Sequence, residues 1–123
     1  MACLPIGRAL SLACLVALPL GACVAGQADT SAGRASALAT TVSRASACRA
    51  GMPQRTTLDR FLATEKARGA SDEQIAAARA AYVGVSEAET INQGVRPEPC
   101  TAEERAQLKE QMNRIRAGNF DAS

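Results

Sequence analysis

A helical spacing of apolar residues extends through nearly all of the chain beyond residue 37, and this spacing limits the fold more than any other feature. Leu38, Val42 and Ala45 fall at positions i, i+4 and i+7, and the same spacing returns close to the C-terminus. No segment shows the alternation of a half-buried strand, and no internal repeat is visible. The sequence therefore predicts an all-α fold.

Turn residues divide the first half of this pattern into two helices. The first is expected to end near Cys48, before a break at Pro53. The second begins near Thr56 or Thr57 and stops at Gly69, because glycine suits the left-handed position that follows a helix.

Three Ser/Thr-x-x-Gln/Glu patterns divide the second half. Residues 71–74 form the first capping box and start a third helix, and residues 86–89 start a short helix that ends by Gly94. Residues 96–99 read Arg-Pro-Glu-Pro and must be extended, since proline disfavours helix at the residue before it. Residues 101–104 form the third box and start the last helix, so four or five helices are expected.

The N-terminus has the three-part layout of a secretory signal. Arg8 supplies a positive charge, residues 9–20 are apolar, and small residues follow. The apolar run is about half of the ~20 residues that span a bilayer, and Pro19 and Gly21 interrupt it. We therefore expect a cleaved signal peptide and not a retained transmembrane helix.

The apolar run closes on Leu20-Gly21-Ala22-Cys23, which resembles the lipobox of bacterial lipoproteins. The resemblance implies cleavage between Ala22 and Cys23 and attachment of palmitate-type acyl chains to Cys23. Two or three such chains hold a protein firmly on a membrane, since each buried methylene contributes about 0.8 kcal/mol. By the same resemblance, Val24 in place of Asp favours the outer membrane. The alternative is an ordinary signal peptide, cut after Ala25.

These features predict three regions. Residues 1–22 are the signal peptide, 23–36 the lipidated N-terminus with a small, polar, flexible tether, and 37–123 a helical periplasmic domain. Removal of the first 22 of 123 residues leaves 101, enough for one small domain. Without Arg8, 13 basic side chains balance 12 acidic ones, so nothing steers the protein to nucleic acid.

The cysteines define one further constraint. Cys3 and Cys14 leave with the signal and Cys23 is taken by lipid, which leaves Cys48 and Cys100 in an oxidising compartment. They are expected to form a disulfide that pins a four- to five-helix bundle at one end. Free buried thiols or a metal site are the alternatives, although a chain without histidine offers a metal few ligands.

The sequence offers no catalytic constellation and implies no cofactor. Histidine is absent, no serine lies in a G-x-S-x-G context, and adjacent carboxylates such as Glu103 and Glu104 suit helix capping. Arg105, Lys109 and Arg116 share a side of the last helix and are interpreted as a solvated surface. We therefore expect no enzyme, and neither a metal nor a nucleic acid as a ligand.

The remaining functional candidates are the aromatic side chains. Phe61, Tyr82 and Phe120 are the only ones, and in so thin a core any of them could be an exposed interface anchor, Phe120 most of all. The sequence thus predicts a lipid-anchored envelope protein that serves as a structural, accessory or interaction module with an envelope protein partner. The alternative is a soluble periplasmic or secreted protein of the chaperone or inhibitor type.

Overall fold

The computed structural model describes residues 29–121, which form four α-helices. These are α1 (Ser31–Ala47), α2 (Thr57–Ala67), α3 (Asp72–Val95) and α4 (Ala102–Arg116), and no strand occurs among the described residues. The predicted all-α bundle is therefore confirmed, with four helices. None of the four is long and apolar enough to cross a bilayer. The lipobox-like residues 20–23 and the predicted signal segment lie outside the described residues.

The first helix begins earlier than the sequence predicted. Thr30 is its N-cap and accepts a hydrogen bond from the Gly33 backbone N–H at 3.0 Å. Ser31 and Ala35 are buried, so the start of α1 belongs to the core. Assigning residues 31–36 to a flexible tether is therefore wrong. The small residues there pack against other helices, whereas the prediction treated small and polar residues as a linker.

The predicted boundary at residues 71–74 is confirmed in full. The Gln74 backbone N–H donates to Ser71 Oγ at 3.1 Å, and the Ser71 N–H donates to Gln74 Oε1 at 2.8 Å. Thr101 caps α4 by accepting from the Glu104 N–H at 3.0 Å. Gly69 has a φ of 99°, as expected for the residue that ends α2.

The predicted boundary at residues 86–89 is wrong. The third helix runs unbroken through this segment to Val95, and the Thr90 hydroxyl donates to the Ser86 carbonyl at 2.8 Å as in a helix interior. No proline and no left-handed residue interrupts the helix here. The backbone therefore keeps its i→i−4 hydrogen bonds, and residues 86–89 lie inside a helix and do not cap the start of one.

The first helix is the centre of the bundle. Its buried residues include Leu38 and Val42, and its alanines let α3 approach closely. Ser31 and Gln74 border one depression while Ala47 and Gln93 border another at the opposite end, so α1 and α3 run parallel. The core comprises Ala35, Leu38, Val42, Ala45, Cys48, Ala50, Phe61, Leu62, Ala78, Leu108, Met112, Ile115 and Phe120.

The predicted disulfide between Cys48 and Cys100 is present, with the two Cα atoms 5.6 Å apart. It joins the end of α1 to the residue before α4's N-cap, so these two helices run antiparallel. Next to it, Arg44 Nε contacts Glu104 Oε1 at 2.6 Å and Arg44 Nη2 contacts Glu104 Oε2 at 2.9 Å. The disulfide and the ion pair between Arg44 and Glu104 therefore both connect α1 to α4 at the same end of the bundle.

Candidate interaction surface

The most buried charged group is a carboxylate that joins three parts of the fold. Glu65 of α2 is fully buried and accepts hydrogen bonds from Ser31 Oγ at 2.7 Å and Arg34 Nε at 3.1 Å. Arg68 donates to it at 3.3 Å and also pairs with Asp121. The hydrogen bond from Arg34 is the main reason that the pKa of Glu65 lies below its usual value. A carboxylate held ionised between two guanidinium groups is a structural anchor.

The disulfide end of the molecule holds the one group of metal-ligating side chains found within residues 29–121. Cys48, Cys100 and Glu104 place their ligand atoms within 4.8 Å of one another. Both sulfur atoms are engaged in the disulfide, and Glu104 is paired with Arg44, whose hydrogen bond lowers the pKa of this carboxyl. In the disulfide-bonded state this group therefore offers a metal no free thiolate.

The basic side chains on α4 make contacts within the molecule. Arg105 Nε donates to the Cys48 carbonyl at 2.9 Å, and Arg116 Nη2 donates to the Met52 carbonyl at 3.1 Å. Arg114 pairs with Glu110 at 2.6 Å. The bonds of Arg105 and Arg116 hold α4 against the segment that follows α1. All three contacts engage positive charge that the sequence places on α4.

Two of the three aromatic residues predicted as interface anchors are core residues. Phe61 is 1% exposed and Phe120 is 4% exposed, and their rings meet edge to face with centroids 5.6 Å apart. The prediction that Phe120 is exposed is therefore wrong. Gly118, with a φ of 89°, reverses the chain after α4 and returns Phe120 to the core. Its position after a helix-ending glycine was the available sequence signal.

Tyr82 lies at the edge of an open groove between α1 and α3. Its side chain is partly buried against the core, and this burial raises the pKa of its phenol. The groove has a volume of about 330 Å³ and includes Val42 and Ala47 of α1, Pro53, and Glu89 of α3. Tyr82 is thus the one predicted interface residue that the structure places beside an accessible surface.

The solvent side of α3 carries most of the large hydrophobic side chains that are exposed among the described residues. Three of the four large hydrophobic side chains that are exposed lie on it: Val83 at 44%, Ile91 at 64% and Val95 at 72%. One residue per 100° of turn places these side chains opposite Ala78 and Tyr82, which face the core. We call this surface the outer face, and it comprises Ala76, Ala77, Ala80, Val83, Gly84, Glu87, Ala88, Ile91, Gly94 and Val95.

Sequence reasoning missed the outer face because it split α3 at Ser86. With two helices, Ile91 and Val83 have no common register and read as separate seams. A single 24-residue helix places them on one side, where alanine and glycine are the main neighbours. Glu87 lies between Val83 and Ile91 on the outer face, and Glu73 lies on the same side of α3, five turns before Ile91.

The described surface thus carries one groove beside Tyr82 and one uncovered helix face. Two clusters of charge, around Glu65 and around Glu104, hold the helices together. Comparisons of the chain with protein-family models, with curated proteins and with solved structures find no match.

Proposed function

We propose that this protein is a small lipid-anchored lipoprotein of the bacterial cell envelope, whose helical domain is an interaction module. The signal-like N-terminus and Leu20-Gly21-Ala22-Cys23 support export and lipid attachment. The bond between Cys48 and Cys100 supports an oxidising compartment, because structural disulfides persist there and are rare in the cytosol. Val24 favours residence at the outer membrane, with the domain facing the periplasm.

Because α1 starts at Ser31, the proposed anchor and the domain would be joined by a short segment. Six residues separate Cys23 from Thr30, the N-cap of α1. Even a fully extended chain of this length spans no more than about 25 Å. The end of the bundle that contains Ser31 and Glu65 would therefore lie close to the lipid headgroups.

The outer face of α3 is the observation that carries the interaction role. Exposed Leu, Ile or Val side chains that occur singly are normal on protein surfaces, whereas a contiguous apolar face marks a contact site. Val83, Ile91 and Val95 share one side of the longest helix of the described chain, where alanine and glycine lie around them and Glu87 lies between Val83 and Ile91. Burying a fully exposed aliphatic side chain of this size is worth about 1.5–3 kcal/mol, and a partner surface that covers these partly exposed residues would gain a part of that from each.

Mass spectrometry of the mature protein tests lipid anchoring. We expect an N-terminal Cys23 that carries added acyl mass, and a chain that begins at unmodified Gly26 would contradict it and favour the soluble alternative. Labelled palmitate provides a second readout. Cys23→Ser should abolish incorporation, whereas Cys14→Ser, the matched cysteine inside the signal segment, should leave it unchanged.

Site-specific crosslinking in the envelope tests the interaction role. A photo-reactive amino acid at Ile91 should yield a discrete adduct. The same probe at Gln107, an exposed residue of α4, is the matched control and should yield none. Equal yields at both positions, or none at Ile91, would refute the outer face as a contact surface.

A further inference from the structure

We propose that the outer face binds a second copy of this chain, with the two α3 helices antiparallel and crossing near Gly84. This inference rests on the proposed interaction role and names its partner. The same helix face meets itself across a twofold axis, which is the commonest symmetry of protein oligomers.

The first argument is the distribution of side-chain size along the outer face. Its N-terminal half is formed by Ala76, Ala77 and Ala80, whereas its C-terminal half carries the large Ile91 and Val95. In an antiparallel pair centred on residue 84, residues whose numbers sum to about 168 lie level with each other. Ile91 of one copy therefore lies level with Ala77 of the other, where a large residue fills the space above a small one. At the ends of the pair, Val95 lies level with Glu73. A parallel pair would set Ile91 against Ile91 and leave the alanines apart.

Gly84 allows the two helix axes to approach closely at the centre. It is helical with no positive φ, and a Cβ placed there would have no atom within 4 Å. The outer side of this glycine is therefore open. Small residues at a helix crossing bring the axes toward the lower end of the usual 8–10 Å range.

The positions of Glu87 and Arg79 also favour the antiparallel order. Glu87 and Arg79 lie on the same flank of α3, and Glu87 has no ion pair within the described part of the chain, while Arg79 contacts Asp59 at 3.2 Å. Antiparallel pairing brings Glu87 of each copy level with Arg79 of the other, within about one helical turn of the crossing point. In a parallel pair the twofold axis puts this flank of the two copies on opposite sides of the contact, so Glu87 and Arg79 do not meet a charge of opposite sign.

A shallow depression lies on that flank. It has a volume of about 410 Å³ and is bordered by Ser86, Glu87, Thr90 and Ile91. In the antiparallel pair, the Arg79 side chain of the second copy enters from this side. The depression can take the guanidinium group beside the Glu87 carboxylate and the Thr90 hydroxyl.

The expected contact is small. Ten residues per copy are one third to one half of the 20–30 per side found in a standard interface of about 800 Å² per partner. Such a contact is weak between proteins free in solution. Two lipid-anchored copies that share a membrane surface meet at a high effective concentration, which favours pairing without any further contact.

Cysteine crosslinking in membranes that contain the full lipidated chain tests the arrangement. With a short thiol-specific crosslinker, Gly84→Cys should link to its own copy. Ile91→Cys should not, since the two introduced thiols lie about 21 Å apart along the helices. Co-expressed Ala77→Cys and Ile91→Cys should link to each other, and Gln107→Cys is the exposed control on α4.

Each other outcome overturns the proposal. Self-linking of Ile91→Cys at the level of Gly84→Cys would contradict the antiparallel order. An adduct between Gly84→Cys and a different protein would refute the second copy but keep the interaction role. Absence of any adduct from the outer face would refute both.

Charge reversal separates this pair from a non-specific apolar contact. Glu87→Arg and Arg79→Glu should each lower the crosslinking yield of Gly84→Cys at least fivefold, because each opposes like charges across the interface. The double variant should restore it. The same exchange at Glu110 and Arg114 on α4 should have no effect. A double variant as weak as the single ones would overturn the proposed ion pair and with it the antiparallel order.

Discussion

At the residue scale, stability depends on a few side chains in unusual surroundings. Glu65 is the one charged side chain classed as buried among residues 29–121, and Arg34, Arg68 and Ser31 satisfy its oxygens. Arg49 is a second case, since it has a φ of 54° at the end of α1, where glycine is usual. Neither was evident in the sequence, because both depend on where the chain turns and on which helix packs next to it.

Glu65→Gln should destabilise the fold by about 1–3 kcal/mol at neutral pH, because it removes the charged acceptor of several hydrogen bonds. Arg34 is about one third exposed, so water replaces part of the lost contact. Urea unfolding measures the change. Asp59→Asn breaks an exposed ion pair with Arg79 and should change stability by less than about 1 kcal/mol. Equal losses would contradict a special role for Glu65.

The effect should depend on pH with a definite sign. The pKa of Glu65 is lower in the folded protein than its ordinary value. Its contribution is therefore complete above the unfolded pKa of about 4.3, and it is lost as the pH falls through the lower folded value. The difference between the wild type and Glu65→Gln should be constant from pH 6 to 8 and shrink below pH 4. A difference that grows on acidification would contradict this assignment.

Arg49→Gly should stabilise the protein by about 0.5–1 kcal/mol. A non-glycine residue in the left-handed region carries a steric cost of roughly 1–2 kcal/mol, of which the greater freedom of glycine in the unfolded chain offsets a part. The reverse change is Gly69→Ala, at the residue that ends α2 with a φ of 99°. It should destabilise the protein through the backbone conformation alone, because a Cβ there meets no atom within 4 Å. Thermal unfolding of both variants checks the pair, and a loss of stability in Arg49→Gly would contradict it.

At the element scale, the sequence is informative where a turn residue and a capping pattern coincide. The end of α2 at Gly69 and the start of α3 at residues 71–74 were predictable, because a left-handed glycine is followed at once by a full capping box. Residues 86–89 also match the Ser-x-x-Gln/Glu pattern, but no left-handed residue precedes them, and α3 continues through them. A Ser-x-x-Glu pattern alone does not distinguish a helix start from a helix interior. The predicted break at Ser86 also concealed the outer face, because it assigned Val83 and Ile91 to different helices.

Proline substitution tests the continuity of α3. At Glu87 it should cost about 3 kcal/mol, since proline in a helix interior removes a hydrogen bond and clashes with the preceding turn. If Ser86 instead capped a separate helix, position 87 would be its first residue and would tolerate proline. Asp72, the first residue of α3, is the matched control and should accept proline with little loss. Chemical unfolding compares the two, and a neutral Glu87→Pro would contradict a continuous helix.

At the scale of the whole molecule, a thin alanine-rich core is supported by a long-range covalent link. Cys48 and Cys100 are 52 positions apart, and in the chain-entropy model a loop of this size contributes about 4 kcal/mol. The pairing was predictable from cysteine count and compartment. The close packing of α1 on α3 was not, since the sequence pattern alone does not say which of the other helices the alanines of α1 contact.

Replacement of both Cys48 and Cys100 by alanine should lower the free energy of unfolding by about 2–5 kcal/mol. Much of a small domain's stability is then lost, so we expect a population of unfolded chains at 37 °C. Urea unfolding of the oxidised wild type and the double variant measures it. A change below about 1 kcal/mol would show that the helix contacts suffice by themselves.

The parallel course of α1 and α3 decides how the proposed pair would sit in the envelope. In the proposed lipoprotein each copy would be attached at the residues before α1, and α3 starts at that same end and extends about 36 Å from it. An antiparallel pair therefore carries its two attachment points at opposite ends of its long axis. With both acyl groups in one bilayer, the pair lies lengthwise along the membrane surface. A pair standing upright would have to anchor one copy in a second, facing membrane.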